Sequence, residues 1–281
     1  MHGQMPTQPT TRPVVLVTGA SSGIGRATAQ RYLGRGGVVV LLVGRRIDAL
    51  RETVDMARLG PGAEAHVLVH DLAEPGQTAA LAKQVRELHG RLDVLVNNAG
   101  VGSQLTFEDS SGADDIDRLL DTNLRAPIHL MHDLFELLSA SGGAVVNVSS
   151  VAGLVGTPDS PVYSATKWGL TGVSEALHVR WKPTGVHVAC VQPGPVPTPG
   201  WPNHHLMGSW IGRRLTASAD DIARAIVRAG DRQGPAFVTR PRAFGAIHVA
   251  RAAAPGLLRT MLQRVRSGTG SGRLVEHSGR D

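Results

Sequence analysis

The sequence predicts an α/β fold: a single domain built on a doubly wound, seven-stranded, mostly parallel sheet. Three observations carry this. Seven apolar, β-rich runs recur along the chain, each is continuous rather than alternating, and segments of helical period separate most of them. A strand that is apolar at every position is buried on both faces, and a helical connection between strands imposes parallel pairing with right-handed crossovers.

The expected strands are Val14 to Thr18, Val38 to Val43, Ala65 to Val69, Val94 to Val96, Ala144 to Val148, Val186 to Val191 and Ala236 to Thr239. Helical periodicity marks Ile24 to Leu33, Asp48 to Leu59, Gln77 to His89, Asp114 to Leu138, Ser164 to Trp181 and Ala219 to Arg228, and a further stretch, Phe244 to Val265, is interrupted by Pro255. No internal repeat and no interdomain linker is visible, so residues 13–266 read as one Rossmann-like domain. Residues 1–12 and 267–281 are rich in Gly, Ser, Thr and charge and are expected to be disordered tails.

Composition narrows the function. The 281 residues are 42% hydrophobic, enough for a large core. The longest purely apolar run, Val38 to Val43, falls far short of the roughly 20 residues that cross a bilayer, and the polar N-terminus is unlike a signal peptide. A soluble, cytoplasmic protein is expected. The lone cysteine, Cys190, lies in a strand run and reads as a core residue. The formal charge of +6 arises wholly after residue 239, where eight arginines face only Glu276 and Asp281. That stretch lacks the aromatic interleaving of a nucleic-acid module, so no nucleic-acid partner is expected.

The first strand runs into Thr18-Gly-Ala-Ser-Ser-Gly-Ile-Gly25 and then a helix. Three glycines stand where the backbone must turn tightly and approach a pyrophosphate, and the helix start supplies amide donors and the positive end of its dipole. After the second strand comes Gly44-Arg45-Arg46, with no carboxylate where an NAD-preferring site repels a 2′-phosphate. A guanidinium there can grip that phosphate with two donors, Arg45 being the better placed, so NADP(H) is favoured over NAD(H).

Tyr163-Ser-Ala-Thr-Lys167 sets a phenol and an ammonium one helical turn apart on one face. An unperturbed tyrosine, with a pKa of about 10, is a poor base at neutral pH, and a nearby cation favours its phenolate. The Gly-x-x-x-Gly-x-Gly spacing and Tyr-x-x-x-Lys together resemble the short-chain dehydrogenase/reductase family over roughly residues 14–240. The resemblance implies a catalytic tetrad of Asn123, Ser150, Tyr163 and Lys167, with Ser149 only a neighbour of the acting serine. It implies a dinucleotide held by Gly19, Ser21, Ser22, Gly23, Ile24, Gly25, Arg45, Arg46, Asp71, Leu72, Asn98, Ala99, Gly100, Tyr163, Lys167, Pro193, Gly194, Val196 and Thr198. Asn97 is expected to steady the central sheet, and Asn123 to hold a water leading to the lysine.

The reaction so implied moves a hydride between NADP(H) and a carbonyl or secondary alcohol, in the direction of reducing a ketone or aldehyde. The alternatives are an NAD-linked alcohol dehydrogenase of the same family and a dinucleotide-binding redox sensor without turnover. Residues 199–216 fall where relatives place a substrate lid, and Trp201, Met207, Trp210 and Ile211 there point to a hydrophobic substrate. The adjacent His204 and His205 point different ways without a supporting carboxylate or cysteine, so no metal is expected. The basic amphipathic segment 243–266 is read as covering the substrate pocket or a subunit interface, with peripheral membrane contact and a solvated face without a partner as the less favoured alternatives. Relatives assemble as homodimers or homotetramers, and the same is expected here.

Overall fold

The computed structural model of the chain describes residues 11–102, 107, 112–197, 216–258, 260 and 263. Seven strands, β1 (Val14–Thr18), β2 (Val39–Gly44), β3 (Glu64–Val69), β4 (Val94–Asn97), β5 (Ala144–Val148), β6 (His187–Pro193) and β7 (Phe237–Arg240), form one sheet in the order β3-β2-β1-β4-β5-β6-β7. Every pairing is parallel. The strand order reverses between β1 and β4, and the crevice at such a switch point, beyond the carboxyl ends of the strands, is where this architecture takes its ligands.

The continuous apolar strands are explained by two cores, one on each face. Val15, Val17, Val40 and Leu42 turn towards Ala29 and Leu33 of α1 (Gly23–Arg35) and Ile222 and Ile226 of a late helix, Ala219–Ala229. Val14, Leu16, Val39 and Leu41 turn the other way, towards α3 (Gln77–His89) and the segment 126–138. Between α1 and α3 lies α2 (Ile47–Asp55). It is shorter than the expected Asp48 to Leu59, because the chain turns after Met56 and the Gly60 amide donates to the Leu33 carbonyl instead of continuing the helix.

The expected long helix from Asp114 to Leu138 is broken. It runs as α4 (Gly112–Leu120), a π-helical turn Asp121–Arg125, α5 (Ala126–Asp133) and, after a bend at Leu134, α6 (Phe135–Ser141). The cause is Pro127: it has no N–H to give the Asn123 carbonyl four residues back, and the turn widens to pair the Ala126 amide with the Asp121 carbonyl. Next come α7 (Pro161–Arg180), α8 (Ala219–Ala229) and α9 (Ala246–Ala253), with helix resuming at Pro255. Arg12, expected in the N-terminal tail, bonds the Gly62 carbonyl at 2.9 Å and pairs with Glu64. Residues 1–10 and 267–281, and all of the expected lid but Thr216, lie outside the described residues.

Candidate active site

The glycine turn begins where β1 ends at Thr18. Gly19 has φ +67°, which favours glycine, and Gly25 sits against it so closely that a Cβ would come within 2.2 Å of the Gly19 carbonyl oxygen and 2.4 Å of Asn98 Nδ2. Ser22 begins α1 without a side-chain cap, so the first-turn amides, with the dipole behind them, remain for an anion. These features fit a pyrophosphate between Ser21, Ser22, Gly23, Ile24 and Gly25.

A signal not singled out in the sequence holds this turn to the next strand. Thr18 Oγ1 accepts from the amides of both Asn98 and Ala99 at 2.9 Å and donates to the Val96 carbonyl at 3.2 Å, while Asn98 Nδ2 donates to the Thr18 carbonyl at 2.9 Å. The Asn98 side chain thus braces β1 against β4. A hydroxyl at the end of an otherwise Val/Leu strand was the available clue. Asn97 donates to Asn147 Oδ1 at 2.8 Å across β4 and β5, and Asn147 in turn donates to Ser174 Oγ of α7 at 2.9 Å. This buried chain ties the sheet to the helix that carries Tyr163.

Arg45, expected at the adenosine end, is exposed, with Nη1 3.5 Å from Asp71 Oδ2. Arg46 is exposed at the start of α2. Asp71 Oδ1 accepts from the Ala73 amide at 3.2 Å, and Leu72 is buried in the core.

Around the opposite end of the cleft, Tyr163 and Lys167 lie one turn apart on α7, the Lys167 Nζ 5.6 Å from the centre of the Tyr163 ring. Lys167 is 4% exposed and donates to the Val148 carbonyl at 3.0 Å. Burial pushes its pKa down to about 8, against a smaller upward pull from Cys190. Cys190 is itself held as a thiol, pushed up to about 11 by burial, and serves as a core residue. Burial raises the Tyr163 pKa, and a hydrogen bond with the Ser150 side chain partly opposes that rise.

Ser150 sits at the mouth of a short 3-10 turn, Val151–Gly153, accepting from the Ala152 amide at 3.1 Å. Ser149 faces away, donating to the Lys167 carbonyl at 2.9 Å and meeting Thr171 Oγ1 at 2.9 Å, a structural brace. Asn123 is fully buried in the π turn, with Oδ1 accepting from the Val101 amide and Nδ2 donating to the Val101 carbonyl, each at 2.8 Å. A Cβ added to Gly100 would lie 3.3 Å from Asn123 Oδ1 and 3.6 Å from Lys167 Nζ, so the three positions converge. Pro193 and Val196 are buried, and Gly194 lies between them at the end of β6, whereas Thr198, His204 and His205 lie outside the described residues. Among the described residues no His/Cys/Asp/Glu cluster could hold a metal, and no helix is long and apolar enough to cross a membrane.

A tight glycine turn at the switch point, together with a Ser–Tyr pair close to a buried ammonium, is the set of groups that a dinucleotide-linked oxidoreductase requires. The sequence profile of the short chain dehydrogenase family matches residues 13–205, and the chain belongs to the short-chain dehydrogenase/reductase family. Over 187 residues it is 37% identical to a 3beta-hydroxysteroid dehydrogenase of Mediterraneibacter gnavus, spanning 66% of this chain and 67% of that one. A short-chain dehydrogenase from Sphingobium yanoikuyae in complex with NADPH shares the fold at a TM-score of 0.70 and 29% identity, over 96% of this chain and 98% of that one. The bulky-bulky ketone specific alcohol dehydrogenase from Comamonas testosteroni superposes at 0.69 with 25% identity, over 96% and 98% of the two chains. The protein is an oxidoreductase of hydroxyl and carbonyl groups that uses a nicotinamide dinucleotide.

Proposed function

We propose that this enzyme reduces hydrophobic ketones to secondary alcohols with NADPH. The observation that carries the reading is the cluster of Ser150, Tyr163 and Lys167. The Ser150 and Tyr163 hydroxyls are hydrogen-bonding neighbours, close enough for one carbonyl oxygen to meet both, and the nearby Lys167 ammonium is buried where its field is strong. Tyr163 donates the proton to the oxygen while Ser150 hydrogen-bonds it, and Lys167 stabilises the phenolate left on Tyr163. The bound reduced nicotinamide supplies the hydride. Asn123 holds the 100–101 segment against Lys167.

Preference for the 2′-phosphate rests on Arg45. Its partner, Asp71, is half-buried and 3.5 Å away, an ion pair at the surface worth less than about 1 kcal/mol, and a phosphate with its greater charge displaces it. The NADPH-bound and bulky-ketone relatives support the same reading. The enzyme would act as a homodimer or homotetramer on a small hydrophobic molecule.

The test is a fluorescence titration of the protein with NADPH and with NADH, repeated on Arg45→Ala, followed by turnover of hydrophobic ketones. Tighter NADPH binding that disappears in the variant supports the reading. Equal affinities, or a preference that survives the substitution, overturn the cofactor assignment and favour NAD-linked alcohol oxidation.

A further inference from the structure

The C-terminal segment touches three segments next to the candidate catalytic residues: the one after β6, the turn that follows Ser150, and α7 beside Lys167. Just past β6 the Gly194 amide donates to the Arg240 carbonyl at 2.6 Å, and the Phe244 ring covers Gly194 so tightly that a Cβ there would lie 2.7 Å from it. Seven residues on, Arg251 of α9 donates to the Leu154 carbonyl at 3.2 Å and stacks its guanidinium over the Trp168 ring, 3.9 Å from the ring centre. Leu154 closes the turn that begins at Ser150, and Trp168 follows Lys167 directly on α7.

One arginine therefore bridges the two segments that carry the catalytic hydroxyls, while the other end of the same strap is pinned to the segment beyond β6. A planar guanidinium suits both contacts at once: its face stacks on the indole while one edge N–H reaches the carbonyl. A lysine can offer the charge but not the plane.

We propose that Arg251 is a specificity-determining residue, clasping the C-terminal strap across the cleft as a fixed side wall that selects substrates by size. The proposal rests on the carbonyl-reducing reading and deepens it. With the clasp closed, a large hydrophobic ketone is held between the strap and the Ser150–Leu154 turn. With it open, the large ketone loses that wall, while a small ketone, bound close to Tyr163, is indifferent.

The experiment measures steady-state reduction of ketones of graded size by the full chain and by Arg251→Ala, Arg251→Lys, Trp168→Ala, Trp168→Phe and the double alanine variant. Amide hydrogen exchange of residues 151–160 is followed in parallel. The expected result is a KM for the largest ketone about tenfold higher in Arg251→Ala and Trp168→Ala, equivalent to losing a single stacking contact. The smallest ketone keeps its KM and kcat. Trp168→Phe and Arg251→Lys restore the large-ketone KM in part, the double variant is no worse than either single one, and exchange in 151–160 quickens in both alanine variants. An equal effect on ketones of every size, additive single effects, or unchanged exchange overturns the clasp. A wild-type enzyme inert towards every ketone sinks the carbonyl reading instead, and the exchange comparison then decides the clasp alone.

Discussion

Asn123 and Val101 exchange two hydrogen bonds of equal length, 2.8 Å, side-chain amide to backbone amide, as two strands of a sheet would pair. A side chain in a widened helical turn thereby serves as the edge on which the loop after β4 rests. Replacing Asn123 with alanine leaves both Val101 groups without their partner and should cost about 2 kcal/mol in urea unfolding. It should also lower kcat at least tenfold, because the support for Gly100 beside Lys167 goes with it. Unchanged kcat in a destabilised variant would show that Asn123 is only structural.

The glycine turn makes a sharper prediction. At Gly25 a methyl group has no room, with backbone on one side and the Asn98 side chain on the other. Gly25→Ala should destabilise the protein by about 1–3 kcal/mol through overpacking and weaken dinucleotide binding beyond detection in a fluorescence titration. Binding that survives intact would place the pyrophosphate elsewhere.

Ketone reduction needs Tyr163 protonated and Lys167 charged. The raised Tyr163 pKa keeps the phenol intact through neutral pH, and the ammonium is lost as pH climbs through about 8. The reductive kcat/KM should therefore be flat below that value and fall above it. Lys167→Arg, whose charge persists, should move the falling limb to higher pH at the expense of overall rate. A rate that rises above pH 8 contradicts this assignment of the proton donor.

Burying the Lys167 ammonium works against folding. Its folded pKa lies below the ordinary lysine value of 10.5, so the unfolded chain binds the extra proton and stability must rise with pH between about 8 and 10.5. Lys167→Met should abolish turnover yet raise the melting temperature at pH 7 in protein without added dinucleotide. The gain should be at most about 3 kcal/mol, since each tenfold drop in proton affinity on folding corresponds to about 1.4 kcal/mol, and should vanish by pH 10.5. A lower melting temperature for Lys167→Met at pH 7 would falsify the desolvation argument.

The strands were legible because burial on both faces leaves a continuous apolar signature. Val186 to Val191 extended to Pro193 only because β7 pairs that far, Pro193 opposite Arg240. The candidate site was legible where backbone geometry demands particular residues, at Gly19 and Gly25, and where the proposed chemistry asks for a fixed offset, from Tyr163 to Lys167. What escaped depends on contacts distant in sequence. α2 stops at Asp55 because the Leu33 carbonyl takes up the Gly60 amide, and no local pattern in 48–59 announces that. The break in the long helix did carry a local sign, Pro127, masked by an apolar period that runs through it unbroken. Arg251 reads as one more charge on an amphipathic helix until Trp168, more than eighty positions earlier, is placed beneath it.

The π turn at Asp121–Arg125 has a consequence for how this chain tolerates length changes. A turn closed five residues apart holds one residue more than an α-helical turn, so removing a single residue there draws everything that follows back by one helical position. Everything beyond it would then rotate by about 100°, swinging Leu130 and Met131 out of the core and Asn123 away from Val101. The extra residue works like a shim: too thin to disturb the fold, yet it sets the angle at which one whole helix meets the reaction centre. Length variation among homologous chains should therefore gather in the surface loops and spare these five positions.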